Sequence, residues 1–198
     1  MIVAFPFAFN GAESKYNHEI GLSFVRTARK YLKTVEIVQM SDMKTGEVPG
    51  IDSCFRVDSW PFGIWYFDAM LAFPAEQFLR IDYDAMIRRD VSDVFSHDFD
   101  IAIAKEHNGR MNNGVVFVKN KEVLKDAQAN YMKTGMDNWQ DIQTAMQETI
   151  DSGLFRIRKL DESYNMIFKP DRQVTIPEDT HIVHFKGVRK ELIVNNFK

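Results

Sequence analysis

FLRIDYDAMIRRDVSDVF, residues 78–95, is the stretch whose reading decides the fold. It opens as a compact apolar run over 78–81 and closes that run on Asp82-Tyr83-Asp84. Two carboxylates two residues apart in an extended chain point the same way. Side by side they repel, unless a cation or a shared proton lies between them. A hard divalent cation bound through oxygens removes that repulsion and leaves positions for phosphate oxygens. Mg²⁺ or Mn²⁺ bridging a diphosphate is the natural use of such a pair, and a solvated acidic turn at a strand end is the plain alternative.

Upstream, 2–9 is a buried-strand run closed by Asn10-Gly11. Ile20, Phe24, Ala28, Tyr31 and Leu32 recur three or four apart, which predicts an amphipathic helix over 15–32. Strands are expected over 35–40 and 53–57, and a helix over 61–73 with Pro61 in its first turn. Downstream, strands are expected over 101–104, 115–118, 155–160 and 181–185, with helices over 121–134 and 139–150. Asn108-Gly109 and Asn113-Gly114 read as turns. Strands alternating with helices at these spacings predict an α/β fold with a mostly parallel central sheet, built as one domain over 1–198. In open sheets of that kind ligands sit beyond the carboxyl ends of the strands. Asp82 and Asp84 lie just past such an end.

Composition narrows the classes of function. The 198 residues are 45% hydrophobic and 27% charged, an ordinary globular balance that argues against disorder. The formal net charge is −3, so no basic surplus exists to hold a nucleic-acid backbone. A single cysteine, Cys54, excludes an internal disulfide and a cysteine-based zinc cluster, and a reducing, cytoplasmic setting is expected. No apolar run approaches the ~20 residues that span a bilayer. Sixteen Phe, six Tyr and three Trp make the chain rich in rings, some of which are candidates for a site. Trp60, Phe62, Trp65 and Tyr66 either pack in the core or offer an acceptor or subunit surface, which leaves room for a homo-oligomer.

His184, in the stretch 181–187, is the second candidate metal ligand, and imidazole nitrogen suits Mn²⁺ better than Mg²⁺. A half-buried strand histidine is the alternative. His181 is the weaker of the pair, and His18, His97 and His107 read as surface residues. Lys186, Arg189 and Lys190 follow closely, either as a clamp for a diphosphate or as a solvated face. Asn112-Asn113-Gly114 is a tight turn, or a place where amides meet sugar hydroxyls.

In order, an apolar first strand, the 78–95 stretch, MNNGVVFVKN (111–120), WQDIQTAMQ (139–147) and HIVHFKGVRK (181–190) resemble the GT-A glycosyltransferases. The resemblance is closest to glycosyltransferase family 8, the glycogenin and galactosyltransferase-like group, and spans most of the chain. It implies metal-dependent transfer of a sugar from a UDP-sugar donor to an acceptor hydroxyl, with retention at the anomeric carbon. By position, Asp82, Asp84 and His184 would be the metal ligands, with Asp82 and Tyr83 also near the donor. Gly187 and Lys190 would meet the diphosphate, helped by Lys186. Asn112 would contact the sugar or acceptor. Phe7, Ala8 and Tyr16 would hold the uracil.

The departures from the family pattern are specific. Its adjacent Asp-Gln pair is here Asp141-Ile142-Gln143, so Asp141 is the acid expected to face the sugar. The Pro-Trp that follows the family lysine is replaced by Glu191-Leu192, and the chain is short, so the acceptor region is expected to be reduced. The acceptor class, whether saccharide, protein or lipid-linked, stays open. Two other readings are a nucleotide-sugar or glycan binding domain without turnover, and a haloacid-dehalogenase-type phosphatase. The second is disfavoured because the motif lies mid-chain and continues Ala85-Met86.

Overall fold

The computed structural model describes residues 1–58, 61–105, 110–134, 139–168 and 175–196. The expected Asn108-Gly109 turn, His107 and Trp60 lie outside these residues.

Strand β1 (Ile2–Pro6) alternates its side chains, so Val3 and Phe5 enter one face and Ala4 the other. Helix α1 (Lys15–Tyr31) begins at a capping box in which Ser14 and Asn17 exchange side-chain and backbone bonds. Its Ile20, Phe24 and Ala28 stripe buries against Val3 and Phe5. β2 (Glu36–Ser41) and β3 (Ser53–Arg56) add in parallel beside β1. α2 (Phe62–Ala72) is apolar all round and is buried on the opposite face, with Pro61 as its N-cap rather than inside its first turn.

β4 (Phe78–Ile81) pairs in parallel with β1 on its other side and carries the Asp-x-Asp at its carboxyl end. β5 (Ala85–Ile87) leaves the main sheet. β6 (Ile101–Lys105), β7 (Met111–Val118), α3 (Glu122–Thr134), α4 (Trp139–Asp151) and β8 (Ile157–Leu160) follow. β9 (Met166–Ile167), β10 (Ile182–His184) and α5 (Glu191–Asn196) complete the order.

The main sheet has seven strands in the order β3-β2-β1-β4-β7-β6-β8, with β7 antiparallel to both its neighbours. The expected α/β architecture with a mostly parallel sheet is present. One core lies under α1 and the other under α2, α3 and α4. A small second sheet, β5-β10-β9, sits beside the end of β4.

Three short elements were not expected, and one expected turn is absent. β5, β9 and α5 are too short to show a periodicity in the sequence, and β5 and β9 are strands through their pairing with β10. Asn113-Gly114 is not a turn. It lies inside β7, where Ile103 pairs with Val116 but Lys105 pairs with Met111, so two steps along β6 match five along β7. The Asn-Gly signal marks a bulge, with glycine where other groups approach closely.

The loop after β2 is fixed by Asp42, whose carboxylate accepts from the backbone of Asn10, Lys44 and Thr45 and from the Thr45 hydroxyl. Burial works against its charge, but these donors outweigh burial and hold its pKa at about 2, below the usual 3.8. The stability this supplies is present above the unfolded value and is lost as pH falls through the folded one. Urea unfolding of the wild type is therefore expected to weaken from pH 3.8 down towards about 2. Asp42→Asn is expected to flatten part of that slope.

Candidate metal centre and its cavity

The two carboxylates converge, but not by strand alternation. The Ala85 backbone N–H donates to the Asp82 carbonyl at 3.0 Å, and this tight turn redirects the chain from β4 into β5. β10 then pairs antiparallel with β5 and sets His184 opposite Ala85. The Phe185 backbone N–H donates to the Asp84 carbonyl at 3.0 Å. A hundred residues of intervening chain are thereby closed onto one point.

His184 Nε2 lies 3.4 Å from Asp82 Oδ2 and 3.2 Å from Asp84 Oδ1. One ligand atom from each of the three residues falls within 4.8 Å of the others. The second oxygen of each carboxylate is held elsewhere. Asp82 Oδ1 meets the Arg80 guanidinium at 2.5 Å, and Asp84 Oδ2 meets the Lys190 ammonium at 2.9 Å. Each acid thus offers one oxygen to the shared point and anchors the other. Two carboxylate oxygens and one imidazole nitrogen suit a divalent cation such as Mn²⁺, with positions left over for a ligand. The residues present fit such an ion.

The electrostatics follow from burial and charge. Burial opposes ionisation of Asp84, which is 5% exposed, but His184 and Lys190 outweigh it and hold its carboxyl well below the usual carboxylate range. At Asp82 burial is the larger influence and pushes the carboxyl up, against the pull of Arg80 and His184. Burial also disfavours the Lys190 ammonium, yet Asp84 and the Tyr83 hydroxyl reverse this and raise its pKa. Arg80 is 1% exposed and sits over the Tyr66 ring, 4.8 Å from its centroid. It also donates to the carbonyl of Asn113. The Tyr66 phenol beneath it is pushed up to about 12 by burial.

These groups line one side of a cavity of about 380 Å³. Pro6, Ala8, Phe9, Phe62 and Tyr83 form its apolar wall, and Lys186, Gly187 and Lys190 its basic rim. Tyr83 is braced edge-on by Phe7 and Phe9 at 5.3 and 5.7 Å.

No protein-family model matches the chain, and no curated protein sequence matches it. Solved structures do. The apo form of the glycosyltransferase GlyE of Streptococcus pneumoniae TIGR4 superposes with a TM-score of 0.71 at 14% identity, over 98% of this chain and 62% of that one. The galactosyltransferase LgtC, solved with donor and acceptor sugar analogs, superposes with a TM-score of 0.63 at 10% identity, over 100% and 96% of the two chains. The fold is the GT-A glycosyltransferase fold. The chain spans 62% of the length of GlyE. At these identities the likeness establishes the GT-A architecture.

Within this GT-A fold, Ala8, Asp82, Tyr83, Asp84, His184, Lys186, Gly187 and Lys190 line the cavity together. Phe7 lies behind the wall, wholly buried. Tyr16 packs against the core beside it, and Asp141 stands half-buried in the first turn of α4, neither among the cavity-lining residues. Asn112 is 2% exposed beneath His184. Trp65 and Tyr66 are core residues and not an outer surface, whereas Phe62 reaches the cavity. His18 is half-buried against Phe7, with ring centroids 5.2 Å apart, rather than on the open surface.

Sequence reasoning missed two residues. Arg80 carried a signal, because an arginine inside a run read as buried, two residues before an acid, shares that acid's face in a strand. Asn165 carried none, since its partners Asn112 and His184 are 53 and 19 residues away.

Gly114 is the tightest point of the centre. A Cβ there would fall 2.3 Å from His184 Cε1 and 2.5 Å from Nδ1. Gly114→Ala is therefore expected to displace the ring and cost about 1–3 kcal/mol of stability. Calorimetric Mn²⁺ titration beside urea unfolding checks both effects, and an unchanged Mn²⁺ affinity would show that the ring does not bind the ion.

Proposed function

We propose that the chain is a metal-dependent glycosyltransferase that moves a sugar from a UDP-sugar to an acceptor hydroxyl with retention, and that residues 1–198 act as one domain with a reduced acceptor region. The observation that carries this is the convergence of Asp82, Asp84 and His184 on one point at the carboxyl end of β4, facing a cavity with a basic rim. GT-A neighbours of known transferase activity support it.

Bound there, Mn²⁺ or Mg²⁺ would supply Lewis-acid stabilisation of the diphosphate. The protein's own groups do the rest. Lys190, already oriented by Asp84 and the Tyr83 hydroxyl, would meet the departing phosphate from the basic rim it shares with Lys186. Negative charge growing on the leaving UDP is met by cations fixed in advance, which need no reorganisation at the moment of reaction. Ala8, Phe9 and Tyr83 offer an apolar shelf for the base. No carboxylate other than the metal pair lines the cavity among the described residues, which favours same-face attack guided by the leaving phosphate over a protein nucleophile.

The test is a calorimetric titration of UDP into the purified protein with and without Mn²⁺, beside GDP and ADP. Binding of UDP only in the presence of Mn²⁺ is expected. Absence of nucleotide binding under both conditions would return Asp82 and Asp84 to the role of an acidic turn. A binding module without turnover is the second reading, favoured by the position of Asp141 off the cavity. Product formation from donors that bind separates the two.

A further inference from the structure

The metal-facing histidine is held from behind by a chain of four hydrogen-bonding groups, and donor and acceptor chemistry leaves that chain only one direction. It starts at the backbone N–H of Gly114, which can only donate. Its partner at 2.8 Å is an amide atom of Asn112, which must therefore be the carbonyl Oδ1. The amide atom of Asn165 that meets the same Oδ1 at 2.9 Å must then be the NH₂ group. The other arm of Asn165, its carbonyl Oδ1, is the atom 3.0 Å from His184 Nδ1. A carbonyl only accepts, so Nδ1 carries a hydrogen. Nε2 is left as the nitrogen aimed at Asp82 and Asp84.

Asn112, Asn165 and His184 are each 2% exposed, so bulk water does not compete for these bonds. The missing Cβ of Gly114 is what lets the ring and Asn112 Oδ1 pack over that residue, since a Cβ would lie 2.9 Å from Oδ1 and 2.3 Å from the ring.

We propose that Asn165 is a positioning residue which, fixed in orientation by Asn112, locks His184 with its proton on Nδ1 and presents Nε2 to a divalent cation between Asp82 and Asp84. This rests on the metal reading above. It also commits the carbonyl arm of Asn112 to the protein's interior rather than to a sugar hydroxyl. A histidine ligand whose far nitrogen donates to a fixed carbonyl is held in one tautomer and one ring orientation, and loss of such a partner costs roughly 10–100-fold in metal affinity. The hydrogen on Nδ1 is common to the neutral and the charged ring, so the device does not depend on the ionisation of His184.

Multiple-bond ¹H–¹⁵N NMR of the histidine rings tests it, with His184 assigned by comparison with His184→Gln. In the full chain, Nδ1 of His184 is expected to be protonated both without metal and with diamagnetic Mg²⁺, which shifts Nε2 alone. Asn165→Leu is expected to abolish the Nδ1–H signature and to weaken Mn²⁺ binding, followed by electron paramagnetic resonance of the free ion, by about 10–100-fold. Asn165→Asp keeps an acceptor for Nδ1–H and is expected to keep the signature. If Asn165→Leu does not fold, Asn112→Ala serves in its place: it leaves Asn165 without its anchor, and mixed His184 forms are expected.

A wild-type ring protonated on Nε2 alone overturns the proposal. So does an Asn165→Leu protein with the Nδ1–H signature intact and Mn²⁺ affinity within about twofold of wild type. A wild type that binds no Mn²⁺, yet shows an Nδ1–H that Asn165→Leu removes, sustains the lock and removes the metal reading instead.

Discussion

Under the proposed transferase activity, Asp84→Asn is expected to lower sugar transfer by about 10²–10³-fold, the range seen when one preorganised charge-stabilising group is removed. The amide keeps the shape of the side chain and an oxygen for Lys190, so the change acts on charge. In the wild type the Asp84 carboxyl is held ionised by His184 and Lys190 against its burial. Its Oδ1 is also the oxygen nearer to His184 Nε2, at 3.2 Å against 3.4 Å for Asp82 Oδ2. Loss of that charge leaves Lys190 and His184 facing each other with only Asp82 between them and Arg80. Two readings are needed, because a folding defect also lowers turnover. Mn²⁺ affinity should fall with activity, while the urea midpoint should move far less than either. A variant that keeps more than about a tenth of wild-type transfer would show that Asp84 is not part of the reacting centre.

Arg80→Met is expected to be the most destabilising single change at the centre, by about 3–5 kcal/mol at neutral pH. The guanidinium is 1% exposed, and it is the cation closest to Asp82, at 2.5 Å. Met fills a similar volume, so the expected loss is not a cavity effect. It comes from leaving the Asp82 carboxylate partly buried without its countercharge. Asp82 answers by taking up a proton. Removal of the cation raises its pKa further, so the gap between variant and wild type should narrow as pH falls through the carboxylate range. The double variant Arg80→Met/Asp82→Asn should recover most of the loss, because no charge is then left unpaired. Urea unfolding of the four proteins at two pH values reads all of this, and a single-variant loss below about 1 kcal/mol would mean that Asp82 is solvated well enough to need no partner.

Legibility in the sequence tracked the range of the interactions. The 78–95 stretch placed the two carboxylates at a strand end because a short apolar run and its acidic stop are local features. The α1 stripe of Ile20, Phe24 and Ala28 was readable for the same reason. The Asn113-Gly114 signal reads as a turn in the sequence, but the pair lies at a bulge inside β7. Local chemistry says that the ladder is interrupted there, but not that the chain continues in the same direction afterwards.

What the sequence determined by itself was the class of architecture, the Asp-x-Asp at the end of β4 and the candidacy of His184. The first rests on the order of strands and helices along the chain, the other two on patterns within about ten residues. The tertiary structure decided how these residues meet. Pairing of β5 with β10 brings His184 onto Asp84, and the bulge in β7 opens space at Gly114 for the ring. The same packing turns Arg80 from a member of an apolar run into the countercharge of Asp82, and Asn165 from an unremarked polar residue into the partner of His184. Those contacts span up to about a hundred positions and depend on which strands lie side by side. That choice is made by the burial of two whole faces of a sheet and not by any one segment.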